Sequence, residues 1–429
     1  MSFAISDDDP VHKLLTKDIR KKLCNSLVKN CERILKEVPT EDHNYKHWDV
    51  YVGKAGLSLL FMRIHERDPG FMIGTRSALV IADEFIDSAL LTYTTTAKHK
   101  MTSAKKQYEC GFICSAVGLY AVAAEVKNHM GDKESSHNYL ELIQSQFSHA
   151  CFSPNTPSEL FYGRAGFLYT QKFISGLINS SKEIPTSSLI KSVFDAIVED
   201  GIRNASITSI TNFTSNFNNT EKEQQIPLFW SFNGKPYVGA AHGFAGILTI
   251  LLQFPENCRE YYKRIKETVD FILFNCRSSN GNWPSSLNKD NNHLIQFCHG
   301  APGICLLACK AYEFYKEEKY LKLATETAKY VYSQGYGHKG VGLCHGISGN
   351  AYVFLSVYRL TKDLQYFQWA IEYAEVCTQW EERILNKEFR LSDRPWSFWE
   401  GLGGTVCLLS DLVNWDAEVF KGFPEFTDI

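Results

Sequence analysis

Apolar and polar positions follow a helical period along this chain, in two kinds of segment. The first kind is apolar nearly all round. It appears in "YVGKAGLSLLF" from Tyr51, "AAHGFAGILTI" from Ala240 and "EGLGGTVCLL" from Glu400. Helices with so little polar face are buried on most sides. The second kind is amphipathic. Residues 255–276, "PENCREYYKRIKETVDFILFNC", set charges on one side and Val269, Ile272 and Leu273 on the other. Residues 319–335, "KYLKLATETAKYVYSQG", repeat that design. Period-two alternation is scarce, and hairpin dipeptides lack β-rich flanks. The pattern predicts an all-α protein in which each unit pairs one amphipathic with one buried helix.

The buried helices share an opening. Gly-x-x-Gly precedes the apolar run at Gly53/Gly56, Gly163/Gly166, Gly243/Gly246, Gly300/Gly303, Gly346/Gly349 and Gly401/Gly404. A seventh copy has Ser115 before Gly118, which leaves the geometry of that turn open. Seven copies in like contexts are a structural repeat. A glycine pair lets the backbone turn sharply and approach a neighbour closely. Seven helix pairs stack either as an open solenoid or as a closed ring. Closure accounts for inner helices that are apolar all round, and it lets every glycine turn face one end. Such a ring is a single domain over 1–429. Residues 1–10 are expected to be loose, and the Asn/Ser/Thr-rich stretch 204–225 to be a polar surface insertion.

Composition changes this picture little. The 429 residues carry a net charge of −3, which calls for neither nucleic acid nor an anionic membrane as partner. No apolar run is long enough to span a bilayer. The start "MSFAISDDDPVHKLL" lacks the basic-then-apolar pattern of a secretory signal. Thirteen scattered cysteines without such a signal read as reduced thiols, so a cytoplasmic location is expected.

The candidate chemistry lies at the turns. "FCHGAPG" (297–303) and "GLCHGISGN" (342–350) place Cys-His before the glycines twice. If adjacent turns are neighbours in space, Cys298 faces Cys344 and His345. Two thiolates and an imidazole are a natural zinc set with a fourth position open. The alternative is that they are reduced core residues. His299 either joins them, which closes the site, or acts as a hydrogen bonder beside them. His242 in "GAAHGFAG" holds the same place with Ala241 instead of cysteine. A histidine without the thiol suits proton transfer, because imidazole titrates near neutral pH. Glu159, four residues before Gly163, is a second candidate for that mouth.

"GAAHGFAG", "NWPSS", "FCHGAPG" and "GLCHGISGNAY" together resemble the LanC-like proteins, eukaryotic relatives of bacterial lanthionine cyclases. The resemblance runs from about Tyr51 to the C-terminus. It implies a double α/α-toroid of seven inner and seven outer helices. It implies one zinc per chain on Cys298, Cys344 and His345, with His242 as general acid/base. It further implies glutathione as ligand and a zinc-dependent glutathione transferase that adds the thiol to dehydroalanine or dehydrobutyrine residues of proteins. By the same resemblance Lys339 in "GHKGVGLC" is a glutathione contact, and "RLSD" supplies Arg390 for a carboxylate and Asp393 for the ammonium group. The competing reading is a glutathione-responsive binding protein with little turnover that docks signalling proteins.

Overall fold

The computed structural model describes residues 10–42, 44–97, 109–179, 187–207, 226–287 and 292–428. Among them, seven helices open directly behind the repeated turns: Lys54–Arg67, Ala116–His129, Arg164–Phe173, Phe244–Leu251, Ala301–Tyr315, Ile347–Thr361 and Leu402–Val413. Each packs on the next, and Leu402–Val413 packs back on Lys54–Arg67. The ring is therefore closed, not an open solenoid. All eight residues of Phe244–Leu251 are buried, as its all-round apolar sequence requires. Each fully buried Leu, Ile or Phe of this kind contributes about 1.5–3 kcal/mol.

The amphipathic helices form the outer ring. Ala78–Thr92, Lys133–Leu142, Ser187–Ile207, Pro255–Asp270, Glu318–Ser333 and Leu364–Cys377 each pack on the inner helix that precedes them. The seventh inner helix has no such successor. Its partner is Lys17–Glu37 from the start of the chain, where the Arg20 guanidinium also donates to the Val413 carbonyl at 2.6 Å. The architecture is an all-α double toroid. Strand structure among the described residues is a two-residue hairpin, Met72–Ile73 with Arg76–Ser77. The expected loose start lies outside the described residues up to position 9, and Pro10 already opens the short helix Pro10–Leu14. The expected insertion begins inside Ser187–Ile207, and its residues 208–225 lie outside the described residues.

The glycine pairs have a common physical cause. At the start of an inner helix the first N–H groups have no partner within the helix. Here they donate to an arch of chain that curls back over the helix start. Lys54 donates to the His47 carbonyl at 3.1 Å, Phe244 to Tyr237 at 3.0 Å, and Leu402 to Pro395 at 2.7 Å. The arch then passes so close that the second glycine has no room for a side chain. A Cβ on Gly349 would lie 2.0 Å from the Leu343 carbonyl oxygen. Gly349→Ala is expected to cost about 1–3 kcal/mol, because the obstacle is backbone. Thermal denaturation checks this, and an unchanged midpoint would mean the arch opens freely.

Two turns satisfy their backbone differently. Ser115 keeps the extended conformation of the glycines it replaces, with φ −121° and ψ 172°. Its hydroxyl donates to the Gly111 carbonyl at 2.6 Å and accepts from Val117 N–H at 3.2 Å. The serine thus caps the helix and the turn keeps its shape. At the fifth turn, Gly300 has φ +97°, a conformation open to glycine. There Asn282 of "NWPSS" replaces the arch: its Oδ1 accepts from Ala301 N–H at 2.8 Å, and its Nδ2 donates to the Asn292 and Leu294 carbonyls.

Neighbouring turns are stitched by backbone hydrogen bonds. Cys298 N–H donates to the Cys344 carbonyl at 3.2 Å, Cys344 to Trp399 at 2.9 Å, Trp399 to Tyr51 at 3.2 Å, and Tyr51 to Ile113 at 3.0 Å. All these residues stand two before the first position of their turn, so the turns gather in register at one end of the toroid. From the other end, the C-terminal segment enters the middle of the ring. Phe423, Glu425 and Phe426 are fully buried there.

Candidate active site

The register of the turns decides what faces the mouth. Two before the glycine stand Cys298, Cys344, Trp399 and Tyr51 in successive turns. One before the glycine stand His242, His299, His345 and Glu400 in four successive turns. A row of sulfur and aromatic groups thus lies beside a row of titratable ones.

Cys298, Cys344 and His345 come together. One ligand atom from each lies within 4.8 Å of the others, the spacing a single ion needs. They are brought there by the hydrogen bond from Cys298 N–H to the Cys344 carbonyl, which aligns the two turns. The donor set is soft sulfur and imidazole with no carboxylate, which fits zinc and excludes magnesium or calcium as resident ion. Cys298 and Cys344 are only 8% and 3% exposed, so their thiolates would be poorly solvated without a cation. The adjoining Cys298 sulfur, with burial, raises the Cys344 thiol well above the ordinary thiol range. Burial opposes the charged form of His345, yet Cys344 and Glu400 together hold it above the usual range. A bound dication reverses the first of these effects, since a coordinating thiol is deprotonated.

Groups around the sulfurs complete the centre. The Tyr51 hydroxyl donates to Cys344 Sγ at 3.3 Å. Burial, then the charge on Cys344, push that phenol far up, so it stays a donor. Gln296 Oε1 accepts from Cys298 Sγ at 3.4 Å and from Lys339 Nζ at 3.5 Å. His299 stands beside the centre, its ring 5.5 Å from that of Tyr237. Burial, with help from His242 and Lys339, lowers it to about 4, so it is neutral at physiological pH.

His242 and Glu159 form a pair. His242 Nδ1 lies 2.6 Å from Glu159 Oε2. The carboxylate also accepts from Phe161 N–H at 3.0 Å and Tyr162 N–H at 2.6 Å. Glu159 is 2% exposed and fully occupied, so its contact is with the imidazole and not with the mouth. With Nδ1–H donated to the carboxylate, Nε2 is the nitrogen left for a proton in transit. Phe232 stacks on the imidazole at 4.7 Å and Phe161 meets it edge-on at 5.1 Å, which fixes the ring plane.

The remaining predicted residues divide. Lys339 is exposed on the rim and reaches Gln296 beside the sulfurs. Arg390 N–H donates to the His338 carbonyl at 2.8 Å, which joins the Lys339 and Arg390 segments. Arg390 lines a narrow cleft with Gly340, Ser392 and Glu400. Asp393 lies instead in a neighbouring cleft of about 410 Å3 with Tyr45, His47 and Trp396. Tyr51, Gln296 and Glu400 were not among the residues expected from sequence. Aligning the seven turns position by position exposes Tyr51 and Glu400, because they occupy the cysteine and histidine places of the first and seventh turns.

Residues 44–425 match the family model described as lanthionine synthetase C-like protein. The chain belongs to the lanthionine synthetase C-like family. Among relatives, the glutathione S-transferase LANCL1 of Danio rerio is 29% identical over 367 residues, covering 85% of this chain and 82% of the relative. LanC-like protein GCL1 of Arabidopsis thaliana is 29% identical over 383 residues, covering 87% and 80%. Among solved structures, nisin cyclase superposes with a TM-score of 0.61 at 16% identity, covering 92% of this chain and 94% of that one. At that identity the likeness concerns the fold, and it agrees with the lanthionine synthetase C-like toroid described above. No helix among the described residues is long and apolar enough to cross a membrane.

Proposed function

We propose that this protein is a zinc-dependent glutathione transferase that adds glutathione to dehydroalanine or dehydrobutyrine residues of proteins. The observation that supports the reading is a histidine held by Glu159, His242, in the turn next to the one that carries Cys298, beside the cluster of Cys298, Cys344 and His345. A relative named glutathione S-transferase supports the choice of thiol. Cys298, Cys344 and His345 would hold the ion, which when bound lowers the proton affinity of a thiol in the fourth position.

The chain's own groups do the rest. Lys339 and Arg390 hold the two carboxylates of glutathione and orient its sulfur. The C–S bond forms at the β-carbon of the dehydroamino acid, and the electron pair of its double bond moves toward the α-carbon and carbonyl. His242 Nε2 takes up the proton that the thiol gives up and delivers it to the α-carbon. Glu159 is a positioning residue: it keeps the Nδ1–H tautomer and stabilises the imidazolium before the transfer.

Incubating the protein with glutathione and a dehydroalanine peptide, followed by mass spectrometry, tests the reaction. The expected product is the peptide plus one intact glutathione. Glutathione bound tightly without adduct would replace the enzyme reading by a binding protein. Lys339→Ala and Arg390→Ala should each weaken glutathione binding by about 1.5–3 kcal/mol, with the metal retained. Calorimetry checks this, and unchanged affinity in both variants removes them from the site.

A further inference from the structure

The C-terminal segment runs into the centre of the toroid, and nothing in the proposed chemistry uses it. It is held by specific polar contacts. Arg63 of the first inner helix pairs with Glu425 at 2.7 Å and also with Asp428. The Tyr169 hydroxyl of the third inner helix donates to Asp428 at 3.1 Å. Gln253, just past the fourth, donates to the Phe426 carbonyl at 2.8 Å. Phe423 N–H donates to Thr427 Oγ1 at 2.8 Å, which curls the segment into a tight knot. Anchors on two inner helices and just past a third fix where Phe423 sits.

Phe423 reaches the floor of the mouth. Its ring stacks on Phe297 at 4.5 Å and 17°, and lies 5.9 Å from Trp399. Phe297 and Trp399 are themselves 5.3 Å apart. These two residues bracket the thiol pair. Phe297 is bonded to Cys298, Cys298 N–H donates to the Cys344 carbonyl, and Cys344 N–H donates to the Trp399 carbonyl. Phe423 therefore touches the residues on either side of the Cys298–Cys344 stretch of that hydrogen-bonded row. The ring is completely buried and has no polar atom, so its contribution there is shape alone.

We infer that Phe423 is a positioning residue for the metal centre, with the C-terminal segment acting as a plug that holds Cys298 and Cys344 at ligand spacing. The inference rests on the reading of Cys298, Cys344 and His345 as metal ligands. Interior packing transmits strain, so a cavity at Phe423 lets Phe297 and Trp399 collapse toward it and shifts both thiol-bearing turns. The same segment supplies its own control. Phe420 is also buried, but its ring packs on Trp415 at 4.9 Å and on Tyr352 at 6.3 Å, so it reaches Phe423 only through Tyr352, which lies 5.5 Å from the Phe423 ring, and not through Phe297 or Trp399.

The test compares Phe423→Ala, Phe423→Leu and Phe420→Ala with wild type in the full chain. Zinc affinity is measured by competition with a chromophoric chelator, and cobalt(II) loaded in place of zinc reports ligand geometry through its visible absorption. Both alanine variants should melt earlier. Phe423→Ala should lose about 10–100-fold in zinc affinity, the range seen when groups supporting metal ligands are removed. Its cobalt spectrum should shift, whereas Phe420→Ala should keep wild-type affinity and spectrum. Phe423→Leu keeps most of the buried volume and carries the test if the alanine variant does not fold; it should show a smaller shift in the same direction. Affinity within twofold of wild type and an unchanged spectrum in the Phe423 variants would overturn the inference. An equal loss in Phe420→Ala would overturn it as well, since general destabilisation would then account for the effect. A wild-type chain that takes up no metal would sink the ligand assignment itself, and this inference with it.

Discussion

His242→Ala is expected to slow addition of glutathione to a dehydroalanine peptide by about 10²–10⁴-fold, the usual range for a lost general acid or base. Zinc content and glutathione affinity should stay near wild type. The reason is geometric: His242 is tied to Glu159 at 2.6 Å and boxed by Phe232 and Phe161, and it belongs to the fourth turn, not to the two that carry the thiols. Single-turnover mass spectrometry measures the rate directly. Glu159→Gln is the informative companion. The amide can still meet the imidazole, but it carries no charge to stabilise the imidazolium, and its NH2 group faces backbone N–H donors that need an acceptor. It should slow the same step by a smaller factor and leave glutathione affinity unchanged. A normal rate in His242→Ala would assign the proton transfer to water or another acid. Zinc loss in that variant would make His242 a ligand or a folding residue.

Cys298→Ala and Cys344→Ala should each strip most of the metal from the chain, from about one zinc to a small fraction as read by elemental analysis. Each substitution leaves one sulfur and one imidazole, which are too few donors for the three-protein-ligand sites that zinc occupies. Adduct formation should fall with the metal. Cys305→Ala is the control. Cys305 is fully buried in the inner helix Ala301–Tyr315, where its thiol donates to the Ala324 carbonyl at 3.3 Å, away from the metal centre. It should cost stability and keep zinc. Full zinc in both the Cys298 and Cys344 variants would show that the assignment is wrong, whatever their activity.

Much of the site was legible because its residues sit at fixed places in a repeat. Cys298 and Cys344 stand at equivalent positions in adjacent turns, with His345 next to the second, and adjacency in sequence order becomes adjacency in space once the helices stack. His242 was legible by the same register. Glu159 was legible only as a second candidate for the mouth, whereas it is buried behind His242. That it grips two backbone amides and the His242 imidazole follows from how the third and fourth turns dock, which no local pattern encodes. Lys339 and Arg390 came from resemblance, and their segments do meet, through a main-chain hydrogen bond. Asp393 faces a different cleft from Arg390, because the chain bends at Asp393 itself, where the following Arg394 N–H donates back to the Ser392 hydroxyl. Spacing alone does not reveal that bend.

The sequence by itself determined the helices, their two kinds, and the sevenfold repeat. These depend on interactions within a few residues: a 3.6-residue apolar period, and an arch whose carbonyls meet an N–H only seven positions later, as Leu402 meets Pro395. Only the tertiary structure decided that Lys17–Glu37 completes the last pair, that Tyr51 reaches across 293 positions to Cys344, and that an ordinary-looking tail, "FPEF", fills the middle of the ring. Closure is the physical reason. It is the sum of small rotations accumulated from one helix pair to the next, and it is settled by packing between surfaces distant in the chain. Tyr51 and Glu400, which flank the candidate metal ligands, come from the first and last turns that closure brings together.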